Sequence, residues 1–187
     1  MRLAVIIGST RRGRFGPTVA HWLAEQAAKQ FDVDLVDLAT ADLPATLPDA
    51  DEEPPREVRQ LGGRLAAADA FAVVTPEINC SFPATLKTAL DWYYEEWHAK
   101  PVAIVSYGRE SGGLYATAQL RQVFTELQAV TIRNTVALPC YWEQFTVDGG
   151  WPRPSAGYEA SAKLMLDQLV WWAEALHDAR AHRPYQA

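Results

Sequence analysis

The stretch "LAVIIGSTRRGRFGPTVAHWLAEQ" (residues 3–26) changes its period midway. Residues 3–8 form a continuous apolar run stopped by Gly8, the pattern of a strand buried on both faces in a parallel sheet. From Pro17 onward, apolar residues fall at helical spacing, at Val19, Trp22, Leu23 and Ala27, and proline suits a first helical turn. Between the two lies a polar loop punctuated by glycines and carrying Arg11, Arg12 and Arg14. A buried strand, a loop and a helix in that order open a βαβ unit, so the rest of the chain is read for repeats of that alternation.

The alternation recurs. "VDLVDL" (33–38) alternates as an edge strand does, and "AFAVVTPE" (70–77), "KPVAIVSYG" (100–108) and "AVTIRNTVALP" (129–139) read as core strands. Helices are expected over 17–31, 55–69 (weakened by Gly62–Gly63), 82–97 with Pro83 in its first turn, 112–129 and 157–182. Residues 40–55 are rich in Pro and Asp and read as a loop, and the 140–156 connection is longer than a compact domain requires. The pattern predicts an α/β fold: a three-layer, doubly wound, five-stranded parallel sheet with helices on both faces, in one domain spanning 1–187. In such sheets ligands sit beyond the carboxyl ends of the strands. That rule selects three loops: "GSTRRGRFG", "TPEINCSF" and "SYGRESGG".

Composition narrows the classes. A formal net charge of −6 argues against general nucleic-acid binding, so an anionic ligand must find a local positive patch. No apolar run reaches a membrane-spanning length, and the N-terminal one, about six residues, is too short for a secretory signal. Cys80 and Cys140 form no CxxC and read as reduced thiols of a cytoplasmic protein. His21, His98, His177 and His182 show no metal-ligand spacing, no GxSxG elbow is present, and Cys80 has no adjacent histidine.

The first loop enters a helix N-terminus, where unpaired N–H groups and the helix dipole attract anions. Ser9 and Thr10 add hydroxyls, Arg11 and Arg14 add forked guanidinium groups, and Gly8, Gly13 and Gly16 permit close approach. Neither GxxxxGK[ST] nor GxGxxG is present, which leaves a terminal phosphate as the fitting ligand. In the second loop, Pro76 and Pro83 stiffen both ends. Asn79 and Ser81 offer polar groups, and the N–H groups of Glu77 to Asn79 are placed to face a planar ring. Glu77 reads as a cap on a neighbouring loop rather than a general base. In the third loop, Gly108, Gly112 and Gly113 allow a flat ligand close to the backbone, with Tyr107 beside it.

Taken together, "GSTRRGRFGPTVAHWL", "TPEINCSFPATLKTALDW" and "SYGRESGGLYA" resemble the three FMN-contacting loops of the NAD(P)H-dependent FMN reductase family, which is flavodoxin-like. The second stretch departs from the family pattern at Ile78, where a Tyr is usual, and at Thr88, where an Asn is usual. The resemblance implies that Ser9, Arg11 and Arg14 hold the FMN phosphate with the backbone of Phe15 and Gly16. It implies that Pro76, Glu77, Ile78 and Asn79 line the ring through main chain, supported by Ser81, and that Ser106, Tyr107 and Gly108 border it. Arg12 either faces solvent or meets a nicotinamide nucleotide. The implied activity is oxidation of NADPH or NADH, with electrons passed through FMN to free flavin, a quinone or another small acceptor. One chain with one exposed ring face implies ping-pong kinetics and no essential catalytic side chain. The alternative is a flavodoxin-like electron carrier without nicotinamide turnover. The family is commonly a homodimer or homotetramer, and some members serve a monooxygenase partner. In that light Trp92, Tyr93, Tyr94 and Trp97, with Trp171 and Trp172, read as either core packing or a subunit interface.

Overall fold

A computed structural model describes residues 1–49, 51–144, 146, 148, 150–153 and 157–186. Its strands are β1 (Arg2–Ile7), β2 (Asp32–Asp37), β3 (Ala70–Pro76), β4 (Pro101–Gly108), β5 (Val130–Thr131) and β6 (Val136–Pro139). The helices are α1 (Gly16–Ala27), α2 (Arg56–Ala66), α3 (Ala84–Asp91), α4 (Leu114–Glu126) and α5 (Tyr158–His182). All pairings are parallel, in the order β2-β1-β3-β4-β5, with β6 also pairing β4. The polar, alternating β2 takes the edge, as its sequence predicts.

The sheet separates two cores. On one face α1 and α5 pack Val19, Leu23, Met165 and Leu169 against Leu3, Val5, Ala72 and Val105. On the other, α2, α3 and α4 pack Leu61, Leu86 and Leu120 against Ile6, Val73 and Ile104. Strands buried on both faces need apolar residues at every position, which is why β1, β3 and β4 read as unbroken apolar runs.

Two expected elements are divided. The strand expected over 129–139 becomes β5 and β6, both lying along β4. Ile132 dives into the core, and the polar Arg133–Asn134–Thr135 stretch leaves the sheet before Val136 rejoins it. The helix expected over 82–97 ends at Asp91 and continues as a 3-10 turn, Glu95–Trp97. Aromatic packing overrides helical continuation there. Trp97 is buried against Phe71 (4.6 Å between centroids) and Phe124 (5.7 Å), and the Tyr93 hydroxyl donates to Val58 O. Tyr93 and Trp97 are therefore core residues, whereas Tyr94 and Trp171 stay exposed.

Register brings the site together. Ile7 lies opposite both Asp37 and Val74, and Pro76 lies opposite Tyr107. The loops after β1, β3 and β4 thus leave the sheet along one edge.

Candidate functional site

The β1–α1 loop starts in close contact with the sheet. Gly8 N–H donates to Val74 O (2.9 Å), and a Cβ on Gly8 would lie 2.9 Å from Leu86 Cδ2. Ser9 is buried, Thr10 bonds the Thr85 hydroxyl (3.3 Å), and Arg11, Arg12 and Gly13 are exposed. Phe15, at the N-cap of α1, provides no side-chain cap, and its ring stacks on Tyr141 at 4.4 Å. The first turn of α1 therefore keeps its partial positive charge without a carboxylate or hydroxyl cap.

The free fork expected of Arg14 is not what the structure holds. Arg14 donates to both carboxylate oxygens of Asp37 (2.5 and 2.6 Å) and to Ser9 O (2.8 Å). The pair is mostly shielded from solvent, at 17% and 26% side-chain exposure, and the Arg14 guanidinium holds the Asp37 carboxyl below its usual range. Asp37 ends the edge strand, so this bond ties the loop to the sheet. Arg11 and Arg12, by contrast, enter no ion pair among the described residues.

The second loop is a two-residue hairpin. Ile78 and Ser81 exchange backbone bonds (2.8 and 3.0 Å), and Asn79 and Cys80 both have positive φ, 50° and 60°. Two left-handed residues in succession mark a type I′ turn. This corrects one expectation: Ile78 N–H is taken by Ser81 O and Glu77 N–H by Tyr107 O (2.9 Å). Of the three N–H groups expected to face a ring, only that of Asn79 lacks a protein partner among the described residues. Glu77 acts as a cap, since its oxygens accept from Ser111 Oγ (2.9 Å) and Tyr115 N–H (3.0 Å) at the start of α4. Gln119 of α4 braces the turn from both sides, accepting from Ser81 Oγ (2.6 Å) and donating to Cys80 O (2.9 Å).

At the third loop, two side chains turn away from the edge. Ser106 is fully buried, donates to Gly112 O (2.9 Å) and accepts from Thr117 (3.2 Å). Gly113 fits above it only because it lacks a side chain; a Cβ there would lie 2.5 Å from Ser106 Cβ, and its φ is 93°. Tyr107 points to the opposite face, beneath the start of α1, where its hydroxyl would lie 3.2 Å from a Cβ on Gly16. Burial raises its phenol well above the usual tyrosine range. Ser106 and Tyr107 thus support the loops from below, and Gly108 reaches the edge as backbone, beside Glu77.

The edge therefore offers an uncapped helix start, a buried serine and two unpaired guanidinium groups beside backbone of two tight turns. That donor set fits a phosphate joined to a flat ring. Residues 1–143 match the family described as NADPH-dependent FMN reductase.

The chain belongs to the NADPH-dependent FMN reductase family.

It is 37% identical over 150 residues to an NAD(P)H-dependent FMN reductase of Schizosaccharomyces pombe, covering 74% of each chain. It is 37% identical over 178 residues to a 2-hydroxy-1,4-benzoquinone reductase of Burkholderia sp., covering 92% of this chain and 96% of that one. Among solved structures, the flavoenzyme NAD(P)H:(acceptor) oxidoreductase FerB of Paracoccus denitrificans superposes with a TM-score of 0.79 at 25% identity, covering 93% and 97% of the two chains. The fold is thus that of flavodoxin-like flavoenzymes, and the chain is an FMN-dependent NAD(P)H oxidoreductase with FMN as cofactor and NAD(P)H as co-substrate. A carrier without nicotinamide turnover is not favoured. No helix among the described residues is long and apolar enough to cross a membrane.

Sequence reasoning missed Asp37, Gln119, Ser111 and Tyr141. The pairing of β2 with β1 carries the signal for Asp37, because it sets a carboxylate opposite Ile7 at the root of an arginine-rich loop.

Proposed function

We propose that the phosphate of FMN is held by Ser9, Arg11 and the backbone of Phe15 and Gly16, with Arg14 as the brace that shapes their loop. The observation that carries this reading is the contrast between Arg14, engaged by Asp37, and the exposed, unpaired Arg11. The main chain of Pro76 to Asn79 and Gly108 would hold the ring, with Ser81 and Ser106 supporting those turns from behind. Bound FMN supplies a ring that accepts hydride at one position and returns electrons to an acceptor. The chain's part is to bind, orient and leave one face open, in a single domain over 1–187. No side chain is assigned an acid or base role.

The acceptor is a small planar molecule, a quinone or free flavin. In support, a well-covered relative is named as a benzoquinone reductase, and Leu114, Tyr115 and Trp142 expose apolar surface on elements flanking the loops. Donor and acceptor use one face in turn, so initial-rate lines are parallel; an intersecting pattern would overturn the shared face. The same reading includes a cytoplasmic homodimer or homotetramer, with Leu164 and Trp171 exposed on one face of α5, and a monooxygenase partner fed with reduced flavin. Light scattering tests the assembly.

Arg11→Ala tests the phosphate site. Titrated with FMN, it binds about 10- to 100-fold more weakly, the effect of losing a charge-assisted contact of ~1.5–3 kcal/mol. Titrated with riboflavin, which has no phosphate, it matches the parent protein. Equal losses for both ligands would remove Arg11 from the phosphate.

A further inference from the structure

A cavity of about 720 Å³ opens at the amino end of the sheet, away from the three loops. Lys100, Arg180, His98, Glu95 and Glu96 line it. Its volume lies within the range of small-molecule pockets.

Two cations share this space with no direct carboxylate contact among the described residues, although Asp69 lies near both and Glu96 near Lys100. Lys100, only 7% exposed, donates from Nζ to Leu65 O (3.0 Å) and Ala66 O (2.8 Å), the carbonyl end of α2. Arg180 of α5 donates from Nη1 to Ala99 O. Neither forms an ion pair among the described residues. Of the nearby acids, Asp69 accepts from Arg2 N–H and faces His177, Glu96 accepts from Tyr94 N–H, and Glu95 lines the mouth as an exposed side chain; Asp69 and Glu96 offset the Lys100 charge only in part. Burial, and then the charge of Arg180, push the Lys100 ammonium down to about 8. His98 adds an unexplained group, since its Nε2 is buried with no hydrogen-bond partner.

A helix C-terminus offers Lys100 roughly half a negative charge, which offsets one cation in part and leaves the second. Buried charge without a partner is costly unless something completes it. Tyr94 and Tyr185 stand edge-on to His98, and Gln128 links their hydroxyls (2.8 Å each), giving the mouth fixed walls.

We propose that this cavity is a second ligand site, which takes a small dianion, a phosphate or a dicarboxylate, on Lys100, Arg180 and His98. It is independent of the FMN site, which lies at the other end of the strands.

The test uses FMN-saturated protein, so that the β1–α1 loop is filled, in chloride buffer. Calorimetric titrations with inorganic phosphate and, separately, with succinate distinguish the two sources. One of them binds saturably at one site per chain. Arg180→Gln and Lys100→Met each weaken that binding at least tenfold while leaving FMN content unchanged. Absence of saturable binding by both anions would overturn the proposal. So would full binding by Arg180→Gln, which removes an exposed-side fork and keeps the Lys100 cap, so the test stands even where Lys100→Met does not fold.

Discussion

At the scale of single residues, the loop's three arginines separate by partner. Their clustering in an acidic chain is visible in the sequence, and it points to an anion. Which of them stays free is not visible, because the deciding carboxylate, Asp37, lies 23 residues from Arg14 and meets it only when β2 pairs with β1. A bidentate, partly buried Arg–Asp pair is worth more than an exposed one, on the order of 1–3 kcal/mol. Asp37→Asn breaks that fork and leaves one bond at most. The expected result is a loss of stability of that order in the FMN-free protein, read by urea unfolding, together with a several-fold weaker affinity for FMN and an unchanged one for riboflavin. Tighter FMN binding by Asp37→Asn would mean that Asp37 competes with the phosphate for Arg14 instead of positioning the loop. Arg14 holds Asp37 below its ordinary pKa, so the pair's contribution is fully present above about pH 4 and fades as pH falls through the lowered value.

At the scale of elements, the periodicity of "AFAVVTPE" and "KPVAIVSYG" sufficed to place β3 and β4, because a strand covered on both faces has no other way to look. Short-range signals failed where long-range packing decides. Trp97 ends α3 early by entering the core beside Phe71 and Phe124, and nothing local to 82–97 announces those partners. The hairpin at Ile78–Ser81 is an intermediate case. Asparagine at its first left-handed position is a common choice, but cysteine at the second is not, since only glycine adopts φ near +60° without strain. Cys80→Gly relieves a cost of about 1–2 kcal/mol and adds back some chain entropy. The expected net effect is a protein more stable by up to about 1 kcal/mol with unaltered FMN affinity. Cys80→Val, β-branched at the same φ, moves the unfolding midpoint the other way. Equal midpoints for the two variants would show that the turn is not held in the left-handed region.

At the scale of the whole molecule, a parallel sheet has two unlike ends. Helix N-termini and strand carboxyl ends meet at one, and there the sequence was readable, because glycines, hydroxyls and arginines cluster within short loops. At the other end, helix C-termini and strand starts meet, and the groups that matter come from the end of α2, the residue before β4 and α5, spread over more than a hundred residues of chain, with no motif to join them. Lys100 reports on that end. Its folded pKa, about 8, lies below its ordinary 10.5, so between these values the unfolded chain binds more protons. Stability then rises with pH across that window, is complete above 10.5, and is lost as pH falls through about 8. Other groups also titrate there, and the comparison that isolates Lys100 is with Lys100→Met, in which every other group is retained. Urea unfolding at intervals from pH 7 to pH 10 shows the parent gaining on the variant as pH rises, on top of a constant offset from the two carbonyls left without a donor. Parallel curves would place the Lys100 ammonium in solvent-like surroundings. A saturating dianion at the same cavity stabilises the charged lysine and flattens the rise, so repeating the series in the anion that binds ties the titration to the cavity by a single residue.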